Sequence, residues 1–599
     1  PMPNLYAWKN RRLFDYAPLP ERDAPRGRMG IPRVLNMYEQ YPYWFTLFTT
    51  LGFRVELSPS SGKEVFDLGL SSMPSQTVCY PAKMAHGHVT ALIRQGVRRI
   101  FYPCLPRESH AEDGRYNCPV VSGYPEVIRL NTDELRESGT VLYTPFLSLA
   151  APDKLTRALH DLLDIPENEV RAAVRAAERE QHSYRDALRA EGERVLEEIK
   201  RTGGLGIVLC GRPYHVDPAV HHGLPEYIAS LGAAVLSEDS IAHLGTLREP
   251  LRVVDQWRYH SRLYRAAALV RDNPLLELVQ LTSFGCGLDA ITSDQVAETL
   301  AGGHRLHTLI KIDEGASLGA ARIRIRSLLA AVRERREEER GAPPVPPAAA
   351  SATPAFTGAM RENHTILAPQ MAPYHFELLA PVFKANGYNM ELLPSVDHGA
   401  VDAGLKYVNN DICYPSILVT GQIMEAVTSG RYDTHKLAVI ITQTGGGCRA
   451  TNYISLIRKA LKAANLEYIP VISLALQGGL DESNSGFKVT LPMLKQAIYA
   501  FSYGDLLMTA LYRTRPYEVE PGSAQRLFDY WMATCKQQLY SGVKQGVFAK
   551  TVQKIVEDFD TLPLQGEGTK PRVGVVGEIL VKFHPTANNQ VVDVIEAEG

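Results

Sequence analysis

Cysteines are the residues of this chain whose type and placement most directly suggest chemistry. Six of the eight share one context: a loop, a flanking glycine or proline, and a preceding apolar run typical of a strand. They are Cys79, Cys104, Cys118, Cys286, Cys413 and Cys448. Eight cysteines in 599 residues are too few for a disulfide scaffold, and nothing indicates export. Such cysteines are therefore expected to be metal ligands or catalytic groups.

Thiolate ligation of iron explains this shared context. Flanking glycines let backbone N–H groups approach cluster sulfurs, and a metal offsets the desolvation of a buried thiolate. The alternative is six buried, inert cysteines, and spacing alone leaves both interpretations open. Structural zinc is less favoured because no Cys-x-x-Cys pair occurs. A single nucleophilic thiol would not account for six similar contexts.

The other two cysteines have ordinary structural contexts. Cys210 occupies an apolar strand position, which favours a core residue. Cys535 lies in a helical stretch without glycine or proline nearby, and we interpret it as incidental.

Histidines give a weaker signal. His86 and His88 follow Cys79 on one predicted helix, where each could line the site as an acid or a donor, or be a core residue. Arg212 and His215 lie in the loop after a predicted strand. They could hold an anionic substrate or a second chain, or have only a structural role.

Three consecutive glycines, Gly445–Gly447, precede Cys448 and indicate close approach of the backbone to something bulky. No Gly-Lys-Ser/Thr follows them, so they do not form a phosphate loop. The chain also shows no GxGxxG fingerprint and no recognisable Ser-His-Asp pattern.

Short apolar runs alternate with amphipathic stretches, which predicts an α/β fold with Rossmann-like parallel sheets covered by helices on both faces. The predicted strands are Val97–Tyr102, Ile207–Cys210, Ala438–Thr442 and Tyr468–Leu474. The predicted helices include Met84–Gln95, Glu226–Leu231, Tyr453–Ala464, Met493–Phe501 and the long, charged Pro166–Lys200, which ends before Gly203-Gly204. The charges on this long helix indicate a solvated face.

The sequence contains an internal repeat, which predicts two related halves. Val78-Cys-Tyr-Pro matches Ile412-Cys-Tyr-Pro, and a glycine follows each cysteine eight residues later, at Gly87 and Gly421. Cys118 and Cys448 are further repeat partners, since each opens a segment with a tyrosine and an Ile-Arg pair.

Domain boundaries follow from composition. Residues 334–357 are charged and then rich in proline and alanine, which predicts a linker. We expect an N-terminal extension over 1–29, a first half over 30–333 with subdomains of about 30–200 and 201–333, and a second half over 358–599. Val573–Gly577 predicts a buried strand and Asn589–Glu598 the helix after it. We therefore expect the second half to be truncated and both ends to be cuts in a longer polypeptide.

Charge and hydropathy exclude several classes of function. The net charge is −2, from 64 basic and 66 acidic residues, so nothing favours nucleic acid or an anionic membrane as a partner. No apolar run reaches the roughly 18 residues of a membrane span. The first residues also lack the apolar stretch of a signal peptide, which predicts a cytoplasmic protein.

Five motifs together resemble the large acyl-CoA dehydratase activase-related proteins, anaerobic fusion proteins related to the 2-hydroxyacyl-CoA dehydratases and the double-cubane cluster proteins. The resemblance covers about 30–333 and 358–599. The motifs are Ile31-Pro-Arg-Val-Leu-Asn-Met-Tyr-Glu, Cys79-Tyr-Pro-Ala-Lys with Gly87-His88-Val89, Phe101-Tyr-Pro-Cys-Leu-Pro, Tyr116-Asn-Cys-Pro-Val-Val and Ser283-Phe-Gly-Cys-Gly-Leu-Asp.

The resemblance implies iron–sulfur clusters held by cysteines in a cleft between Rossmann-like domains. It implies electrons of low potential from an ATP-hydrolysing activase, which in the large fusions precedes the segment seen here. The cluster would be a 4Fe-4S cubane or a double cubane of the 8Fe-9S type. The ligand candidates are Cys79, Cys104, Cys118, Cys286, Cys413 and Cys448. Because Cys286 has no counterpart in the second half, the division of ligands between clusters stays open.

These implications define two hypotheses. The first is an iron–sulfur reductase component that reduces a small molecule or an acyl-CoA, with His86 and His88 as catalytic candidates and Tyr80, Tyr414 and Gly447 as cofactor contacts. The second is a non-catalytic electron relay or scaffold for a separate 2-hydroxyacyl-CoA dehydratase. In both we expect a homo-oligomer without nucleic acid or membrane partners.

Overall fold

The chain forms two compact units, Pro1–Ala350 and Ser351–Gly599. The computed structural model describes residues 2–108, 115–315, 318–338, 354–394, 398–475, 479–480, 486–566 and 570–598. The boundary between the units falls within the predicted linker, 334–357, of which 339–353 lie outside the described residues.

The first unit opens with a parallel sheet in the strand order β2-β1-β3-β5. A second, smaller parallel pair joins β4 to β6. Pro103 and Pro145 separate β3 from β4 and β5 from β6, because proline cannot donate to a strand ladder. The strands are β1 (Arg28–Ile31), β2 (Arg54–Leu57), β3 (Arg99–Phe101), β4 (Cys104–Arg107), β5 (Val141–Tyr143) and β6 (Phe146–Ser148).

Helices connect these parallel strands, as right-handed crossovers require. They are α1 (Leu5–Phe14), α2 (Met37–Thr50), α3 (Lys63–Leu68), α4 (Tyr80–Arg94), α5 (Pro119–Asn131), α6 (Asp133–Ser138) and α7 (Pro152–Leu163).

The long predicted helix is confirmed as α8 (Glu167–Thr202), which ends at Gly203 in the left-handed conformation, φ +62°. It leads into a second parallel sheet of order β10-β9-β7-β8. Every residue of β8 and β9 is buried, as expected for strands covered on both faces. The strands are β7 (Leu205–Cys210), β8 (Ala233–Ser237), β9 (Leu276–Ser283) and β10 (His307–Ile312). The helices are α9 (Pro218–His221), α10 (Leu224–Ser230), α11 (Glu238–Ile241), α12 (Arg258–Asp272), α13 (Gly287–Ala301) and α14 (Gly319–Glu338).

The N-terminal segment, predicted as an extension over 1–29, packs on this second sheet. The N–H of Val235 in β8 donates to the carbonyl of Pro3. Lys9 of α1, itself buried, forms an ion pair with Asp239 at 2.5 Å. Residues before β1 therefore belong to the core of the first unit.

The second unit contains a sheet of order β12-β11-β13-β14-β15, parallel except for the antiparallel β15. Its strands are β11 (Thr365–Ala368), β12 (Asn389–Leu392), β13 (Leu437–Gln443), β14 (Val471–Ala475) and β15 (Gly479–Leu480). Its helices are α15 (Met360–Asn363), α16 (Pro373–Ala385), α17 (Gly399–Leu405), α18 (Tyr414–Thr428), α19 (Tyr453–Ala463), α20 (Leu491–Thr514), α21 (Ser523–Ser541), α22 (Gln545–Asp560), α23 (Ile579–Phe583) and α24 (Val591–Ala597).

The predicted α/β fold and the repeat are confirmed. The order β12-β11-β13-β14 reproduces β2-β1-β3-β5, since in both sheets the second strand lies outermost and the first lies beside the third. Gly87 and Gly421 also occupy equivalent crossings. A Cβ built on Gly87 would lie 1.7 Å from the carbonyl oxygen of Val65, and one on Gly421 would lie 1.6 Å from that of Ala400.

One predicted element is wrong. Val573–Gly577 forms no strand, and Val573 and Val576 are 60% and 88% exposed. A short apolar run becomes a strand only when a neighbouring strand accepts its hydrogen bonds, and the described residues provide none here. The helix predicted after it is present as α24, close to its expected bounds.

None of the helices within the described ranges combines the length and the apolar character that crossing a bilayer requires.

Candidate functional site

Five of the six candidate cysteines lie at helix N-caps. Cys79 precedes α4, Cys118 precedes α5, and Cys286 precedes α13. Cys413 precedes α18, and Cys448 precedes a short 3-10 helix, Arg449–Asn452. The N-terminal end of a helix presents free N–H groups and partial positive charge, which stabilise a thiolate or another anion. The predicted positions of Cys79 and Cys413 beside helix N-termini are confirmed.

Three of these cysteines converge in the first unit. The Cys118 thiol is close enough to Cys79 and to Cys286 to raise the pKa of both, although burial is the larger cause in each case. Arg212 is near all three, since its positive charge lowers the pKa of each thiol. Its Nη2 atom lies 3.9 Å from Sγ of Cys286. Cys79 and Cys118 come from the first subdomain and Cys286 from the second, so both subdomains build this three-cysteine site.

Burial determines the protonation of these thiols. It raises the pKa of Cys79 to about 12 and also raises the pKa of Cys118 and Cys286. The thiols are therefore protonated at neutral pH unless a cation compensates their charge. A metal would provide that compensation.

Arg212 is the buried cation of the three-cysteine site. Its side chain forms an ion pair with Asp289, and its Nη1 donates to Nδ1 of His260 at 3.2 Å. Its backbone N–H donates to Nδ1 of His215 at 2.8 Å. Nε of Arg212 and Nε2 of His215 are buried without a hydrogen-bond partner among the described residues. Buried donors without acceptors are rare, so this cradle suits an anionic group.

Cys104 is not among the main groups that act on the pKa of the three site thiols; its own neighbours are Glu126 and Arg129, and Tyr102 lies near both Cys104 and the site. The Cys104 thiol is buried at the start of β4, and its pKa is raised to about 11 by burial, opposed by a hydrogen bond from the backbone N–H of Glu126. The Tyr102 hydroxyl is buried and has no hydrogen-bond partner in the described part of the chain. Burial, together with the neighbouring Cys104, Cys118 and Cys79, raises its pKa, so it remains a neutral donor beside three thiols.

His86 and His88 are fully buried. Nδ1 of His86 pairs with Ser72 Oγ at 2.8 Å and Nε2 with the Tyr124 hydroxyl at 2.9 Å. Both ring nitrogens of His88 pair with serine hydroxyls, at 2.8 and 3.0 Å. Burial lowers the pKa of His86 to about 4 and that of His88 to about 3, so both rings are neutral at pH 7. Their catalytic role stays a prediction.

The predicted cofactor contacts lie beside the cysteines in sequence. Tyr80 and Tyr414 are the first residues of α4 and α18, directly after Cys79 and Cys413. Tyr80 is buried, and its ring stacks on His222 with 6.2 Å between centroids. Gly447 follows Gly445 and Gly446, whose φ values of +71° and +66° require glycine. The role of Tyr80, Tyr414 and Gly447 as cofactor contacts stays a prediction.

The second unit brings two cysteines together around a tyrosine. Sγ of Cys413 lies 3.7 Å from the hydroxyl of Tyr453. Burial raises the pKa of Tyr453, and Cys413 and Cys448 both contribute. Cys448 is exposed. In the first unit Tyr124, the repeat partner of Tyr453, lies near Cys79, which helps burial to raise its pKa, but its hydroxyl pairs with His86. The repeat therefore preserves a cysteine–tyrosine pair in each unit.

The donor set decides what such a site could hold. No group of three or more His, Cys, Asp or Glu residues in the described ranges has the spacing for a single metal ion. The three-cysteine site offers thiols, a buried guanidinium whose Nη2 lies 3.9 Å from Sγ of Cys286, and the nearby buried hydroxyl of Tyr102, which has no hydrogen-bond partner among the described residues. Thiolates are the ligands that iron–sulfur clusters take in proteins, so the chemistry of this donor set is compatible with the predicted cluster. The cluster itself stays a prediction.

Residues 28–241 match the model of the family described as CoA enzyme activase uncharacterised domain (DUF2229). This part of the chain is similar to that domain. The match spans about a third of the chain and is consistent with the predicted relation to acyl-CoA dehydratase activase-related proteins. No curated protein matches the chain.

The activase-like domain contains only part of the three-cysteine site. Cys79, Cys118 and Arg212 lie within the matched residues, whereas Cys286 and Asp289 lie outside them. Sequence reasoning gave no role to Tyr102 or Asp289. Both lie within motifs that carry the family resemblance, Tyr102 two residues before Cys104 and Asp289 three residues after Cys286, and that was the available signal.

Proposed function

We propose that the chain is an iron–sulfur reductase component that receives low-potential electrons from an ATP-hydrolysing activase and reduces a small molecule or an acyl-CoA. One observation supports this most: Cys79, Cys118 and Cys286 come from three helix N-caps in two subdomains and surround one buried arginine. Unrelated core cysteines have no reason to share this geometry.

The chain's residues have separate roles in this proposal. Cys79, Cys118 and Cys286 hold the cluster, with Cys104 as a fourth candidate beside Tyr102. Arg212, whose Nη2 lies 3.9 Å from Sγ of Cys286, and the unpartnered Tyr102 hydroxyl would donate hydrogen bonds to the cluster sulfurs, and burial would exclude water. When bound, the cluster supplies one-electron reduction at a potential that these hydrogen bonds tune. In the second unit, the corresponding thiols are Cys413 and Cys448, which both lie near Tyr453.

Anaerobic reconstitution tests the proposal directly. Wild-type protein should bind iron and sulfide, and Cys79→Ala, Cys118→Ala and Cys286→Ala should each lose a large part of both. Cys210→Ala is the matched control, because Cys210 is a fully buried strand residue with no part in the site. If the variant with all three cysteines replaced by alanine still binds the full amount of iron, the proposal is wrong.

A second candidate, an electron relay or scaffold for a separate dehydratase, is favoured by the histidines. Both ring nitrogens of His86 and His88 are engaged, so neither offers a free acid or base. Electron paramagnetic resonance of the reduced protein distinguishes the two functions. Loss of the signal on adding substrate supports the reductase, whereas a signal that only a dehydratase removes supports the relay.

The proposal also includes the cellular location, the oligomeric state and the classes of partner. We place the protein in the cytoplasm as a homo-oligomer, without nucleic acid or membrane partners. The near-neutral net charge of −2 supports the absence of polyanionic partners. Sedimentation of the purified chain at several concentrations measures the oligomeric state.

A further inference from the structure

A cavity of about 270 Å³ in the first unit is rich in arginine. It lies between α2, α8, α11 and α12, and six of its thirteen lining residues are arginines against two carboxylates, Glu39 and Asp239. The arginines are Arg115, Arg185, Arg189, Arg258, Arg262 and Arg265. Nothing in the three-cysteine site uses this cavity.

Helix α12 separates the cavity from the three-cysteine site. Arg258, Ser261, Arg262 and Arg265 follow the spacing i, i+3, i+4 and i+7, so they share one helix face and line the cavity. His260 lies on another face and contacts Arg212. The two sites therefore sit on different sides of one helix.

The carboxylates in the cavity are already engaged. Arg262 forms ion pairs with both Glu39 and Asp239, and Lys9 also binds Asp239. Arg189 and Arg265 are exposed and form no ion pair with any residue that the structure describes. Positive charge is therefore in excess at the open side of the cavity.

Two further observations indicate an unfilled anion position. Arg185 shares Glu39 with Arg258 and Arg262, at 3.8 Å from the carboxylate, and its pKa is lowered by burial and by the positive charges of these two arginines, against the opposing effect of Glu39. The Tyr184 hydroxyl lines the cavity, is buried, and has no hydrogen-bond partner within the described ranges. Burial raises its pKa, so it keeps its proton and can donate.

We propose that this cavity binds a diphosphate or a small phosphate ester. Guanidinium groups bind phosphate oxygens in bidentate fashion, and a ligand with two or more negative charges would balance Arg189 and Arg265 and add a second counter-charge for Arg185, which shares Glu39 with two other arginines. The volume lies just below the roughly 300 Å³ at which pockets for drug-sized ligands begin, so it suits a phosphate group better than a whole nucleotide. The proposal is independent of the iron–sulfur function.

Titration calorimetry of the full chain with inorganic pyrophosphate tests this site. Arg189→Ala and Arg265→Ala should each weaken binding by about tenfold or more, because each removes a charge-assisted hydrogen bond. Tyr184→Phe should weaken it several-fold. Arg175→Ala is the matched control, since Arg175 is exposed on the same helix α8 but does not line the cavity. Binding that is absent in wild type, or unchanged in the double alanine variant, overturns the proposal.

Competition identifies the source of the phosphate. ADP or coenzyme A that displaces pyrophosphate supports a site for the phosphate group of a larger cofactor, whereas displacement by neither supports a free diphosphate. Iron content, measured in the same samples, should be equal in the arginine variants and the wild type. This second measurement separates failure of the phosphate site from failure of the cluster site.

Discussion

Replacing Gly87 with alanine should force apart the two helices that cross behind Cys79. Gly87 lies in α4, whose N-cap is Cys79, and the new Cβ would lie 1.7 Å from the carbonyl oxygen of Val65 in α3. Real Cβ atoms do not approach such an atom more closely than 3.0 Å. The backbones must therefore separate by about 1.3 Å. Neither partner can rotate away, because the contacted atom belongs to the backbone.

The expected cost follows from two opposing terms. Overpacking of this kind costs about 1–3 kcal/mol or more, and the contact with backbone places Gly87→Ala at the upper end. Alanine regains up to about 1 kcal/mol of helix propensity. The net expectation is a loss of roughly 2 kcal/mol of stability in the first unit. Gly421→Ala, at 1.6 Å from the Ala400 oxygen, should cause a similar loss in the second unit.

Thermal unfolding of the iron-free protein is the primary assay. Gly123 is the matched control, because it lies inside α5, another helix with an N-cap cysteine, and has open space where the Cβ would be. Gly123→Ala should be neutral or stabilising. Iron content after reconstitution should fall in Gly87→Ala, since α4 carries Cys79. If Gly87→Ala unfolds at the same temperature as Gly123→Ala, the close helix crossing is wrong.

Three further predictions concern buried charge, pH and capping. Arg212→Ala should cost about 3–5 kcal/mol, because it leaves Asp289 buried without its partner, and adding Asp289→Asn should recover part of this loss in urea unfolding. Burial lowers the pKa of His88 to about 3 in the folded protein, whereas in the unfolded chain it is about 6.5. The unfolded chain therefore binds a proton at a higher pH than the folded protein does, and the free energy of unfolding falls as the pH drops below about 6.5. The loss contributed by His88 should reach roughly 2 kcal/mol at pH 5. The unfolding temperature of His88→Gln should therefore change less between pH 7 and pH 5 than that of the wild type, and parallel profiles would contradict this. Cys413→Ser should stabilise the iron-free second unit by about 0.5–1 kcal/mol, because serine is a better N-cap, and an unfolding temperature below that of the wild type would oppose this.

The sequence predicts what depends on local pattern. Short apolar runs predicted most of the strands. The charge pattern predicted the long helix α8, and Gly203 predicted where it ends. The repeat at Cys79 and Cys413 predicted two helix N-termini before any contact was known. Each of these inferences uses residues that are close in the chain, where backbone geometry and side-chain periodicity act directly.

The features that the sequence did not predict depend on contacts between residues that are far apart in the chain. The convergence of Cys286 with Cys79 and Cys118 depends on how two subdomains pack, which no local spacing reveals. His88 looked like a possible acid, but serines from a distant loop occupy both ring nitrogens. Val573–Gly577 has the composition of a strand without a neighbour to pair with.

The N-cap cysteines connect the fold to the proposed chemistry. Serine, threonine, aspartate and asparagine are the preferred caps because they accept a hydrogen bond from the first helical turn, and losing such a cap costs about 0.5–2 kcal/mol. Cys118 accepts one from the N–H of Val121 at 3.4 Å. The backbone N–H groups of Ala82 and Asp289 lie close enough to the thiols of Cys79 and Cys286 to lower their pKa, against the larger effect of burial. The side chain of Cys413 makes no capping bond. A thiol is a weaker cap than serine or aspartate, so each of these positions gives up part of the stability that a preferred cap would provide. Under the proposed function, a bound group rich in acceptor sulfur would accept hydrogen bonds from N–H groups at these helix ends and would compensate the thiols whose pKa burial raises, those of Cys79 and Cys286.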